Sequence, residues 1–164
     1  GELNIYRQDK GDKLYRRGIY TFIKLTLPPP SLLIFDGSNR DICQVNRNRT
    51  NTPLQALAML NDPLVLEASR VLAEKLNANY KDEKSAIDEA FVRILGRLPK
   101  SEEEKLLKAF YVEELSRFQE DPDIAVNTLM VGDSPAAKME EIRTAALMQV
   151  IVAIYNLEET LTKT

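Results

Sequence analysis

Arginines and small hydrogen-bonding side chains crowd one stretch of this 164-residue chain. From residue 35 to residue 55 it reads FDGSNRDICQVNRNRTNTPLQ. Arg40, Arg47 and Arg49 stand just upstream of Thr50, Asn51 and Thr52. Thr52-Pro53-Leu54-Gln55 then has the form of a capping box, with Thr52 at the N-cap, Pro53 at N1 and Gln55 at N3. Guanidinium forks, hydroxyl and amide groups and the free N–H groups of a helix start can together take a phosphate, sulfate or carboxylate. The same six residues can instead lock an irregular arm in place, with the arginines bonded to backbone carbonyls and to Asp36 and Asp41. Anion binding and arm locking both stay open at this point. In the second role Arg47 and Arg49 are expected to pin the arm beside the helix that Thr52 caps.

Other chemistry is excluded by residue type. The chain has no histidine and one cysteine. Intrachain disulfides, Cys/His zinc cages, C-x-x-C-H haem attachment and every mechanism with a histidine base are ruled out. No haem and no stoichiometric metal are expected in this fragment. Cys43 reads as a small buried hydrophobe, since nothing near it in sequence marks a base. The carboxylate runs Glu102 to Glu104 and Glu158-Glu159 read as solvated, because acid–base work needs a cleft that holds the pair across a substrate. Arg16-Arg17 with Tyr15 and Tyr20 could touch nucleic acid, but the chain is acidic overall and carries no nucleic-acid motif, so no such partner is expected. Residues 1–53 hold nine Lys/Arg against five Asp/Glu, and residues 54–164 hold thirteen against twenty. A basic arm on an acidic body can seek an anionic partner or settle on its own body.

The elements that must position these residues are helices. Beyond Thr52 the chain is punctuated by helix starts and stops. Leu54, Leu57, Ala58 and Leu60 form an apolar face in the first helix. Asp62-Pro63 opens the next, with Leu64, Ala68, Val71, Leu72 and Leu76 at helical spacing and an end near Asn77 to Asn79. A third helix spans about Asp82 to Leu95, buries Ala86, Ile87, Ala90, Phe91, Ile94 and Leu95, and stops at Gly96. Ser101-Glu102-Glu103-Glu104 predicts a second capping box, followed by Leu107, Phe110, Tyr111, Leu115 and Phe118. Asp121-Pro122 opens a short helix carrying Ile124, Ala125, Leu129 and Val131 up to Gly132. Ser134-Pro135 opens the last, apolar on nearly all sides from Ala145 onward, and so expected at the centre of the bundle. Its apolar run, broken by Gln149 and Asn156, is too short to span a bilayer.

The first fifty residues break this pattern. Ile19 to Leu27 fits either helical turns or an extended segment. Pro28-Pro29-Pro30 predicts a polyproline-like stretch, and Asp36-Gly37-Ser38-Asn39 a turn. The predicted architecture is all-α: an irregular bundle of five or six helices over residues 52–164, with an extended N-terminal arm over residues 1–51 packed on it.

Several motifs follow in an order that resembles a known family. They are Tyr15-Arg16-Arg17, Tyr20-Thr21-Phe22, Pro28-Pro29-Pro30-Ser31, Phe35-Asp36, the long run Arg49-Thr50-Asn51-Thr52-Pro53-Leu54-Gln55-Ala56-Leu57, and Leu60-Asn61-Asp62-Pro63. Leu95-Gly96-Arg97-Leu98-Pro99 and Asn156-Leu157-Glu158-Glu159 complete the set. The chain resembles the planctomycete-type domain of unknown function 1553. Departures at Gly18, Ile23 and Glu158 are mild. The resemblance implies the C-terminal part of a large secreted bacterial protein that often carries a cytochrome c-like domain. It implies an extracytoplasmic location, a haem c group elsewhere in the full-length protein, and the missing N-terminal portion as partner. It transfers no catalytic residue. The functional expectation is therefore a non-catalytic structural or interaction domain. The alternative is part of a glycan-processing enzyme or glycan-binding module that grips an anion through the arginine segment.

Overall fold

The computed structural model describes residues 7, 9, 11–16, 20, 28–37, 50–135 and 140–161. Among these there is no strand, and eight α-helices follow one another. They are α1 (Pro30–Ile34), α2 (Pro53–Asn61), α3 (Pro63–Asn79), α4 (Glu83–Leu95), α5 (Ser101–Glu120), α6 (Pro122–Leu129), α7 (Glu141–Tyr155) and α8 (Glu158–Leu161). The fold is all-α, as the spacing of apolar residues predicts. The chain divides into two compact units, residues 1–58 and 59–164.

In the first unit a 3-10 turn spans Gly11–Lys13. Of the three prolines, Pro29 has the extended, polyproline-like backbone that the sequence predicts, with φ −56° and ψ 136°. Pro30 instead begins α1, because a proline at the first helical position gives up an N–H that has no partner there anyway. The segment 21–27 and the arginines at 40, 47 and 49 lie outside the described residues, as do Asn39, Asp41 and Cys43.

In the second unit α7 is the axis. It packs against α3, α4, α5, α6 and α8. Nine of its fifteen residues are buried, from Thr144 to Ile154, on all sides of the helix. A helix apolar all round can lie only inside a bundle. Around it sit Ala73 and Leu76 from α3, Ala86, Ile87, Ala90 and Phe91 from α4, Tyr111 and Phe118 from α5, and Ala125 from α6. No helix among the described residues is long and apolar enough to cross a membrane.

Helix ends follow local chemistry. Asp62 accepts the Leu64 N–H at 2.8 Å, and Asp82 accepts the Ser85 N–H at 2.9 Å. Gly96 ends α4 in the left-handed region at φ 77° and donates to the Val92 carbonyl. Three boundaries differ from the sequence reading. The cap of α5 is Lys100 rather than Ser101, because Glu103 folds back to accept the Lys100 N–H at 2.7 Å. Helix α6 stops at Leu129, so Val131 is not helical, and its carbonyl accepts from Arg70 Nε at 3.1 Å. Helix α7 starts at Glu141 rather than at Ser134-Pro135. Ser134 is held in the loop by α3: its N–H donates to Glu67 Oε1 at 2.6 Å and its carbonyl accepts from Arg70 Nη2 at 2.7 Å.

Two helix faces also differ. Leu54, Leu57 and Leu60 of α2 are exposed, and the buried residue of that helix is Gln55. In α3 the expected stripe member Ala68 is exposed, while Glu67, Ser69, Arg70 and Glu74 are buried.

Candidate functional site

The start of α2 builds a closed polar node from Asp36, Thr50, Thr52 and Gln55. Thr52 and Gln55 form the reciprocal capping box that the sequence predicts. The Thr52 N–H donates to Gln55 Oε1 at 2.9 Å, and the Gln55 N–H donates to Thr52 Oγ1 at 3.3 Å. The far side of the Gln55 amide does more. Its Nε2 donates to the Ile34 carbonyl and to Thr50 Oγ1, both at 2.9 Å. Thr50 in turn donates to Asp36 Oδ2 twice, from its N–H at 3.1 Å and from Oγ1 at 2.6 Å. Gln55 is thus the hub that ties α1 to the start of α2, and its burial follows from that role. A buried amide needs its partners, and this one has them.

Of the six candidate residues, Thr50 and Thr52 are brought together in this node. Asn51 is exposed beside it. Arg40, Arg47 and Arg49 lie outside the described residues. Thr52→Ala is expected to cost about 1 kcal/mol through loss of the cap. Gln55→Ala should cost more, about 2 kcal/mol, since it strands the Ile34 carbonyl and Thr50 as well. Urea denaturation of both variants checks the order; a Gln55→Ala protein no weaker than Thr52→Ala would show that the bonds to Ile34 and Thr50 add nothing beyond the cap.

A second cluster joins two motifs that lie far apart in sequence. Arg97, in the turn after α4, reaches Glu159 in α8 and Glu103 in α5. Its Nη2 lies 2.8 Å from Glu103 Oε1 and 2.7 Å from Glu159 Oε2. Its Nη1 donates to Glu103 Oε2 at 2.9 Å and to the Leu98 carbonyl at 3.1 Å, and its Nε to Glu159 Oε1 at 3.0 Å. The guanidinium also lies over the Phe91 ring, 4.9 Å from its centroid. Neither Glu103 nor Glu159 is merely solvated, contrary to the reading of the carboxylate runs; Glu104 is paired too, with Lys84. The Arg97 guanidinium pulls the Glu103 carboxyl down from 4.5 to about 2, with help from the Lys100 N–H. Arg97 lowers Glu159 as well.

Carboxylates lowered in the folded state contribute stability above their ordinary value of 4.5 and lose it as pH falls toward about 2. Wild-type melting temperature should therefore drop across that window, and Arg97→Ala should flatten the drop. Thermal melts of both proteins from pH 6 to pH 2 test this, and parallel acid limbs would sink the assignment.

The third cluster was not foreseen. Glu67, Arg70 and Glu74 occupy one face of α3, with Glu67 and Arg70 each only 1% exposed. Arg70 Nη1 meets Glu74 Oε1 at 2.5 Å, while its other nitrogens hold the Val131 and Ser134 carbonyls. Glu67 takes the Ser134 N–H and packs under Gly132. The spacing i, i+3, i+7 puts the three on one side of the helix, but nothing local in the sequence marks that side as buried. Among the described residues no three His, Cys, Asp or Glu side chains gather as a metal site. An open cleft of about 320 Å³ lies between the end of α5 and the starts of α6 and α7, lined among others by Leu115, Pro122, Glu140 and Arg143.

Fold and polar clusters together define an all-helical domain in which Arg70, Arg97 and their carboxylate partners are drawn into internal contacts. The model of PSD1, a protein of unknown function (DUF1553), matches residues 2–111, and the chain belongs to that family. The closing Asn156-Leu157-Glu158-Glu159 lies beyond the matched stretch, yet its Glu159 is the partner of Arg97 within it. No curated protein and no solved structure matches the chain.

Proposed function

We propose that this chain is a non-catalytic structural or interaction domain of an extracytoplasmic bacterial protein that also carries a cytochrome c-like domain. One observation carries the structural role: the charged side chains of the Arg97 and Arg70 clusters are engaged with one another. Arg97 and Arg70 direct all their nitrogens at internal acceptors. The carboxyl groups of Asp82, Glu103 and Glu159 are lowered by those and similar bonds. A general acid needs the opposite displacement. The location outside the cytoplasm, the haem group elsewhere in the protein and the remaining part of the same protein as partner are supported by the motif resemblance.

Calorimetric titration tests the reading. The purified rest of the same protein, added to this chain, is expected to give saturable binding. Sulfate, phosphate and a sulfated oligosaccharide are expected to leave the melting temperature of this chain unchanged. A rise of several degrees with the sulfated glycan, or glycan cleavage by the chain, would replace this reading with the glycan-binding one.

A further inference from the structure

We propose that two copies of this chain associate through the outer face of α5, antiparallel, with the twofold axis beside Ala109. Helix α5 lays Tyr111, Glu114 and Phe118 inward, against the core around α7. Its opposite face carries Glu102, Lys105, Leu106, Ala109, Val112, Glu113 and Ser116, and every one of them is exposed. Leu106 is 72% exposed and Val112 49%. Two large apolar residues a turn either side of an alanine make an apolar strip that none of the described residues covers. The alanine lets a second helix approach closely, toward the lower end of the 8–10 Å range of packed helix axes.

The charges on the strip select the occupant. Lys105 and Glu113 flank Ala109 four residues before and four residues after it. Neither takes part in an ion pair among the described residues, whereas Lys84, Lys108, Arg93, Arg97 and Arg117 each do. In an antiparallel pair centred on Ala109, a residue four before the centre stands level with the residue four after it in the other copy. Lys105 then meets Glu113 of the second copy, twice by symmetry. Leu106 stands level with Val112 in the same way, and Glu102 with the neutral Ser116. A parallel pair would set lysine against lysine and glutamate against glutamate. The strip is therefore complementary to itself in one orientation, the requirement of a twofold contact. One helix face is smaller than the roughly 800 Å² per partner of a standard interface, so the dimer is a weak one that forms only at high concentration. The contact depends on α5 alone and not on the domain's role in a larger protein.

Sedimentation equilibrium of the 164-residue chain from 10 µM to 1 mM tests this. The wild type should move from monomer to dimer across that range. Lys105→Glu and Glu113→Lys should each weaken association about tenfold or more, and both should melt as the wild type does, since both positions are exposed. The double reversal Lys105→Glu/Glu113→Lys should restore association to within about threefold. A wild type that stays monomeric at 1 mM overturns the proposal. So does a dimer indifferent to the single reversals, or one that the double reversal leaves broken.

Discussion

Gly132→Ala is expected to destabilise the protein by about 2–5 kcal/mol, and two separate effects add to that figure. Gly132 has φ 84°, in the left-handed region, where a non-glycine residue loses roughly 1–2 kcal/mol. A Cβ there would also lie 2.2 Å from Glu67 Cδ, 2.4 Å from Cγ and 2.6 Å from Cβ. Glu67 cannot yield cheaply. It is buried, and its Oε1 holds the Ser134 N–H. Forcing volume into such a site costs typically a further 1–3 kcal/mol. Gly96 supplies the control. It has a similar φ of 77°, but a Cβ there meets nothing within 4 Å. Gly96→Ala should show the backbone cost alone, so urea denaturation should rank Gly132→Ala well below Gly96→Ala. Equal losses would mean that the loop slides away from Glu67 at no cost.

Arg70→Met should lose about 3–5 kcal/mol, the usual result of removing one member of a buried charge pair. Methionine fills most of the volume, so the loss reports charge and hydrogen bonding rather than a cavity. It leaves Glu74 without its cation and the Val131 and Ser134 carbonyls without their donor. Arg70→Lys should recover only part, because its single nitrogen cannot stand within reach of all the acceptors that the guanidinium meets from three separate nitrogens. Adding Glu74→Gln to Arg70→Met should cost less than the two single losses combined, since each removes the same pair. Chemical denaturation of the four proteins gives the cycle. A loss under about 1 kcal/mol for Arg70→Met would show that water replaces the guanidinium.

Those two residues also mark the limit of what the sequence discloses. Helices α2 to α6 were legible because each is bounded at one end or both by a local signal: Thr52, Asp62, Asp82, Gly96 and Asp121-Pro122 act within a few residues of themselves. The central place of α7 was legible from its uninterrupted apolar composition. The capping box at Thr52 and Gln55 was legible for the same local reason, and it held in both directions. What was hidden depends on contacts across the fold. Glu67 and Arg70 look like solvent-facing charges until the loop at 131–134 is brought against α3. Gln55 reads as a capping residue, and its bond to the Ile34 carbonyl spans twenty-one positions. Likewise, Arg97 and Glu159 are sixty-two apart, and no period or spacing links them. Local rules also misplace the starts of α5 and α7 by letting Ser101 and Ser134 act as caps, when Arg97 with Glu103, and Arg70 with Glu67, have already fixed the backbone there.

The position of α7 in the chain has a consequence for how the domain comes into being. It is the element against which α3, α4, α5 and α6 all pack, and it follows all of them. Synthesis runs from the N-terminus, so those four helices emerge with their apolar faces turned toward a space that nothing yet fills. Little is gained until the last large helix arrives, and then nearly the whole interior closes at once. Folding of this unit should therefore be late and all-or-none, with partial chains that stop before Glu141 sticky, protease-sensitive and dependent on holding factors.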